Sequence, residues 1–109
     1  MTTVLQILTK ARDLIEKKGW TQNSNARNKN GKEVLEHNRN AVCFCASGAI
    51  WRAGGRCWNQ EIDDAEEILI SCIRNQEIVE WNDQEGRTKK QVLAAFDRAI
   101  AKAKLNPRD

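Results

Sequence analysis

No stretch of the 109-residue chain approaches the ~18–20 consecutive apolar residues that a membrane span needs. The N-terminal Met1-Thr2-Thr3-Val4 also lacks the basic segment and apolar core of a secretory signal, so a cytoplasmic location and no membrane partner are expected. Histidine occurs once, as His37, which leaves Cys43, Cys45, Cys57 and Cys72 short of a nitrogen partner for a zinc site. Neither sign of charge dominates: 18 Lys and Arg against 15 Asp and Glu leave a net charge of +3, which neither requires nor excludes an anionic partner. There is no internal repeat, no convincing set of strands and no complete catalytic or cofactor motif, so no metal, cofactor or catalytic set is expected. What remains is a composition of 40% hydrophobic and 30% charged residues, which suits one soluble globular domain spanning 1–109.

The apolar spacing is helical wherever it is regular. Thr3 can cap a first helix in which Val4, Ile7, Leu8, Ala11, Leu14 and Ile15 share a face. Lys17 and Lys18 suit its C-terminal dipole, and Gly19 supplies the stop. Trp20 then folds back on the same core. From Thr21 to Asn40 the pattern dissolves into an asparagine-rich stretch, read as a solvated loop with one short turn or a small hairpin about Asn30-Gly31, the alternative being a recognition loop that orders on a partner.

Asn40 caps an expected central helix from Ala41 to Ala53, in which Val42, Cys45, Ala46, Ala49, Ile50 and Ala53 form a small-residue face that lets a neighbour come close. Gly54-Gly55 ends it. On that helix Cys43 and Cys45 would lie about 200° apart and could not grip one ion together. Asn59 caps a third helix to about Asn75, with Ile62, Ala65, Ile68, Leu69, Cys72 and Ile73 inward and the acids Glu61, Asp63, Asp64, Glu66 and Glu67 near its positive end. Residues 77–81 are extended or begin another turn of helix. Thr88 and Gln91 form a capping-box pair for a last helix, Lys89 to about Lys104, which buries Val92, Ala95, Phe96, Ala99, Ile100 and Ala103. Pro107 cannot continue it, and a tail from about 105 to 109 is expected to fray. The expected fold is all-α: a compact bundle of about four helices with a long polar loop between the first and second.

One local conflict marks a candidate site. Helix starts favour acidic residues, yet the last helix opens with Arg87, Lys89 and Lys90. Together with free backbone N–H groups and the Thr88 hydroxyl, these cations would form an anion cradle suited to phosphate or carboxylate, the plainer alternative being that Asp83, Glu85 or the acidic third helix neutralises them. Trp81 just upstream can stack on a base, which would make the ligand a nucleotide. Asn82 and Asp83 complete the candidate ligand-binding set, although an Asx turn that only fixes the loop is the preferred reading of that pair. Cys43 at a helix start with His37 and Asn82 would make a nucleophilic set. A core cysteine beside a loop histidine is the simpler account.

Three segments together are familiar. Gly19-Trp20-Thr21-Gln22, the run Cys43-Phe44-Cys45-Ala46-Ser47-Gly48-Ala49-Ile50 with Ala53, and Trp81-Asn82-Asp83 followed by Gly86-Arg87-Thr88 and Val92 resemble a family of small uncharacterised proteins of bacteria, notably actinobacteria, and their phages. The resemblance covers nearly the whole chain and implies a small helical domain with no established activity. Position by position it marks Cys45, Gly48, Ala49, Trp81, Asn82, Asp83, Arg87 and Thr88, whereas the asparagine-rich loop departs from a shorter stretch richer in Pro and Gly.

The expected function is a non-enzymatic binding module, phage- or mobile-element-encoded and so placed in a host cytoplasm. It would act on a host protein, by analogy as an inhibitor of bacterial defence, or capture a small anionic ligand. The alternatives are a cysteine-dependent enzyme using Cys43 or Cys45 with His37, Asn82 or Asp83, and, ranked last, a nucleic-acid binder using Arg27, Lys29, Lys32, Arg39 and the basic helix start.

Overall fold

The computed structural model describes residues 2–105. Helix α1 (Val4–Lys17) starts where its local chemistry says it should. The Thr3 hydroxyl accepts from the Gln6 N–H at 3.1 Å while the Thr3 N–H donates to the Gln6 side chain at 2.9 Å, closing a capping box. Val4, Ile7, Leu8, Ala11 and Ile15 form its buried stripe. This helix, rather than the cysteine-containing one, is the element the others gather on: α2, α3, α5 and β3 all pack against it.

The segment read as a solvated loop carries β1 (Ala26–Arg27) and β2 (Glu33–Val34), which with β3 (Cys43–Phe44), from the expected start of the central helix, form a small antiparallel sheet in the order β2-β1-β3. Ala26 pairs with Val34 on one side and Phe44 on the other, and Arg27 with Glu33 and Cys43. The expected hairpin at Asn30-Gly31 joins β1 to β2, with the Asn28 side chain accepting from the N–H groups of Asn30 and Lys32. The Arg27 guanidinium donates to the Thr21 hydroxyl and to the carbonyls of Gly31 and Gln22, so this cation serves the loop's own structure.

Helix α2 (Ala46–Gly54) therefore begins five residues later than the expected Ala41. The backbone of 42–45 is committed elsewhere: Val42 donates to Arg27 at 2.8 Å, Phe44 to Gly19 at 3.1 Å, and Cys45 to Asn25 at 3.1 Å. Long-range pairing overrides the local helical spacing, Val42 is exposed, and Phe44 takes the buried place instead. Cys45, not Asn40, is the N-cap, its sulfur accepting from the Gly48 N–H at 3.2 Å.

Of the expected small-residue face, Ala46, Ala49, Ile50 and Ala53 are buried on α2, while Val42 lies outside the helix and the closest approach is made by Gly48, which was not on that face. A Cβ on Gly48 would lie 2.1 Å from the Asn25 carbonyl oxygen, so only glycine lets α2 sit this close to the sheet.

Asn59 caps α3 (Gln60–Ser71), which ends short of the expected Asn75 because Arg74 and Asn75 take positive φ angles of 61° and 60°. A further short helix, α4 (Ile78–Asp83), occupies the segment whose state the spacing left open. Helix α5 (Lys89–Leu105) follows the Thr88–Gln91 capping box. The molecule is thus mostly helical with a three-stranded sheet, and the pure four-helix bundle is corrected on both counts. Phe44, Phe96, Ile7, Leu8, Ile15, Ile50, Ile62 and Leu69 are the largest apolar side chains fully enclosed in its core. Leu105 is still helical, while the expected stop at Pro107 and the frayed tail beyond it lie outside the described residues. None of the described helices is long and apolar enough to cross a membrane.

Candidate functional site

Helix α4 sends the three residues of the Trp81-Asn82-Asp83 run to three different places. Asn82 is completely buried, and its amide reaches two distant segments as well as its neighbour Asp83. Its Oδ1 accepts from the Trp20 indole N–H at 2.8 Å and from the Ala46 N–H, at the start of α2, at 3.0 Å. Its Nδ2 donates to the Thr21 carbonyl at 3.2 Å and to Asp83 Oδ1 at 2.9 Å. That uses the two donors and two lone pairs of an amide, so Asn82 is a clamp with nothing left for a ligand. Asp83 Oδ1 also accepts from the Asn23 N–H at 2.9 Å, and Gln22 donates to the carbonyls of Asn82 and Gln84. The expectation that Asn82 and Asp83 serve the backbone is met, but across the fold rather than within one local turn.

The cradle expected at the tip of α5 is largely closed on itself. Thr88 and Gln91 cap each other, at 3.2 Å and 3.1 Å. Lys89 donates to the Glu16 carbonyl at 3.1 Å and so caps the end of α1. Lys90 is exposed. Arg87 turns inward: its guanidinium carbon stands 4.3 Å from the centre of the Trp81 ring, and Nε donates to the Trp81 carbonyl at 2.9 Å. Its other nitrogens donate to the side-chain oxygens of Gln84 and Gln91. Trp81 is only 5% exposed, which leaves no open ring face for a base to stack on.

The inward turn brings Arg87 to a concavity of about 550 Å³ that the sequence did not suggest. Arg74, from the left-handed end of α3, and Arg98, from α5, line it with Arg87, together with the side chains of Gln76, Gln84, Gln91 and Trp81. Among the described residues no Asp or Glu lines it. Arg98 donates to the Cys72 carbonyl at 3.3 Å, and Gln84 to Gln76 at 3.3 Å, so the cations and amides here meet neutral acceptors. The ion pairs described join Arg12 to Glu16 and Asp97 instead. Arg74 and Arg98 were missed because 24 positions separate them and only the packing of α3 on α5 unites them. The unusual basic run at Arg87 was the one local signal.

The cysteines are free thiols. Cys45 is 2% exposed, and burial pushes its thiol pKa up despite the Gly48 and Ser47 N–H groups, with Asp83 and Glu36 adding repulsion. A neutral, buried sulfur that caps a helix is a poor nucleophile. Cys43 lies on β3 and donates weakly to the Arg27 carbonyl at 3.9 Å. His37 Nε2 is buried with no partner, and among the described residues no hydrogen bond joins it to either thiol. Nor does any group of three or more His, Cys, Asp or Glu side chains among the described residues stand ready to hold a metal ion. Glu66, packed beneath α2, has its carboxyl pKa raised by burial, which outweighs hydrogen bonds from Trp51 and Ser47.

A model described as a family of unknown function, DUF6197, matches residues 1–102 of the chain. No curated protein and no solved structure matches it.

Proposed function

We propose, from the premise that this chain belongs to the DUF6197 family of unknown function, that it is a non-enzymatic module that captures a small phosphate-bearing anion in the basin of Arg74, Arg87 and Arg98. The observation that carries the reading is the convergence of three guanidinium groups on one concavity with no carboxylate among the described residues of its lining. Guanidinium forks suit the paired oxygens of phosphate better than lysine does. Arg87 is held against Trp81 before any ligand arrives, which lowers the ordering cost of binding. Arg74 and Arg98 are exposed and available to close on an anion. Because Trp81 is covered, recognition falls on the anionic head and not on a base. In the bacterial or phage setting implied by the resemblance of the Cys43–Ala53 and Trp81–Thr88 runs, such a module acts by sequestering its ligand.

The test is calorimetric titration with inorganic phosphate, pyrophosphate and adenosine diphosphate. Pyrophosphate should bind saturably, the nucleotide no more tightly than pyrophosphate, and both more weakly as salt rises. Arg74→Gln and Arg98→Gln should each cost about tenfold in affinity, the ~1.5 kcal/mol of one charge-assisted hydrogen bond. Absence of saturable binding to any of the three, or variants that bind as well as the parent, would remove the reading.

A further inference from the structure

The face of α4 opposite the arginine basin borders a second and larger concavity, about 740 Å³, of the opposite character. Trp81 and Gln84 line the first basin, whereas Val79 and Asp83, one helical turn apart, line the second. Glu33 and Val34 of β2 and then Leu35 line it too. Among the described residues its acidic side chains are Glu33 and Asp83 and no Lys or Arg lines it, although the whole chain carries a net charge of +3.

We propose that this groove between β2 and α4 docks an extended segment of a partner protein in which an apolar residue is flanked by lysine or arginine. Three independent features select that occupant. Leu35, 76% exposed, and Val79, 38% exposed, leave apolar surface in water in the lining of one groove, which an apolar side chain entering it would cover. The carboxylates beside them match a basic flank and repel an acidic one. Finally, β2 is the edge strand of the sheet, with β1 on one side and no described strand on the other, so an extended backbone can add to it. Asp83 is already fixed in place, with Oδ1 held by the Asn23 N–H and the Asn82 amide. A small organic amine would satisfy the carboxylates but leave Leu35 uncovered. The groove is separate from the arginine basin and does not depend on a ligand there.

The experiment is an amide-shift titration of the isotope-labelled full chain with an end-blocked peptide alternating lysine and valine, its glutamate–valine counterpart, and spermine. The lysine peptide should bind saturably, move the resonances of Val34, Leu35 and Val79, and weaken as salt rises. Leu35→Ser and Glu33→Lys, both at exposed positions, should keep the amide spectrum of the fold and each weaken binding about tenfold. Arg74→Gln and Arg98→Gln should leave it unchanged, which separates this groove from the phosphate site. The proposal is overturned if neither peptide binds, if the glutamate peptide or spermine binds as well, or if the Leu35 and Glu33 variants bind like the parent. Self-association of the chain through this face would also overturn it, by assigning the groove to a second copy.

Discussion

Asn82 joins Trp20, Thr21, Ala46 and Asp83 through a single amide, and the consequences of removing it follow from what would be left behind. Asn82→Ala strands the Trp20 indole N–H and the Ala46 N–H as donors and the Thr21 carbonyl as an acceptor in a water-poor site. With ~1–3 kcal/mol for each buried group left unsatisfied, and partial relaxation, a loss of about 2–4 kcal/mol is expected. Urea denaturation measures it, and a loss within error of zero would mean the clamp carries no load. Glu66 offers a second residue-scale test. Its carboxyl pKa is raised above the ordinary 4.5, so the protonated form is the one folding favours. That contribution is present below the unfolded carboxylate's pKa and is lost as pH rises through the folded one. Glu66→Gln, which stays neutral, should gain stability relative to the parent across that window, with the difference flat at higher pH. Parallel melting curves at every pH would contradict the assigned burial. The Asn82 contacts also show why the Trp81-Asn82-Asp83 run looked like a binding motif. A polar run is visible in sequence, but the direction of each side chain depends on where the helix beneath it sits.

At the level of elements, contact distances divide two glycines of α2. A Cβ at Gly48 meets the Asn25 carbonyl oxygen at 2.1 Å, whereas one at Gly54 meets the Ile62 side chain at 2.3 Å. Backbone cannot rotate away and a side chain can, so Gly48→Ala should cost more stability than Gly54→Ala. About 1–3 kcal/mol is the expected overpacking loss at Gly48. Thermal melts of the two variants decide it, and equal losses would show that the sheet yields as easily as Ile62 does. The starts of α1, α3 and α5 were legible in sequence because their chemistry is local. Thr3 with Gln6, Asn59 with Ile62, and Thr88 with Gln91 each bond within one turn. The start of α2 was not, because the hydrogen bonds that hold 42–45 extended come from Gly19, Asn25 and Arg27, all at least 15 residues away.

For the molecule as a whole, one short helix separates two concavities of opposite charge. The arginine basin faces one side of α4, and the acid-lined groove faces the other. Neither could be read along the chain. The pattern of apolar and capping residues determined by itself that α1, α3 and α5 would form and which of their faces would be buried. Those signals act within a turn or a few turns, where sequence neighbours are also spatial neighbours. Only the tertiary structure decided that the asparagine-rich segment would be a sheet, since each strand is two residues long and has no period to detect. It alone decided, too, that Arg74, Arg87 and Arg98 would share a basin while Leu35 and Val79 would share a groove. Convergence of that kind depends on how helices and strands pack, a relation between segments that no local run of side chains encodes.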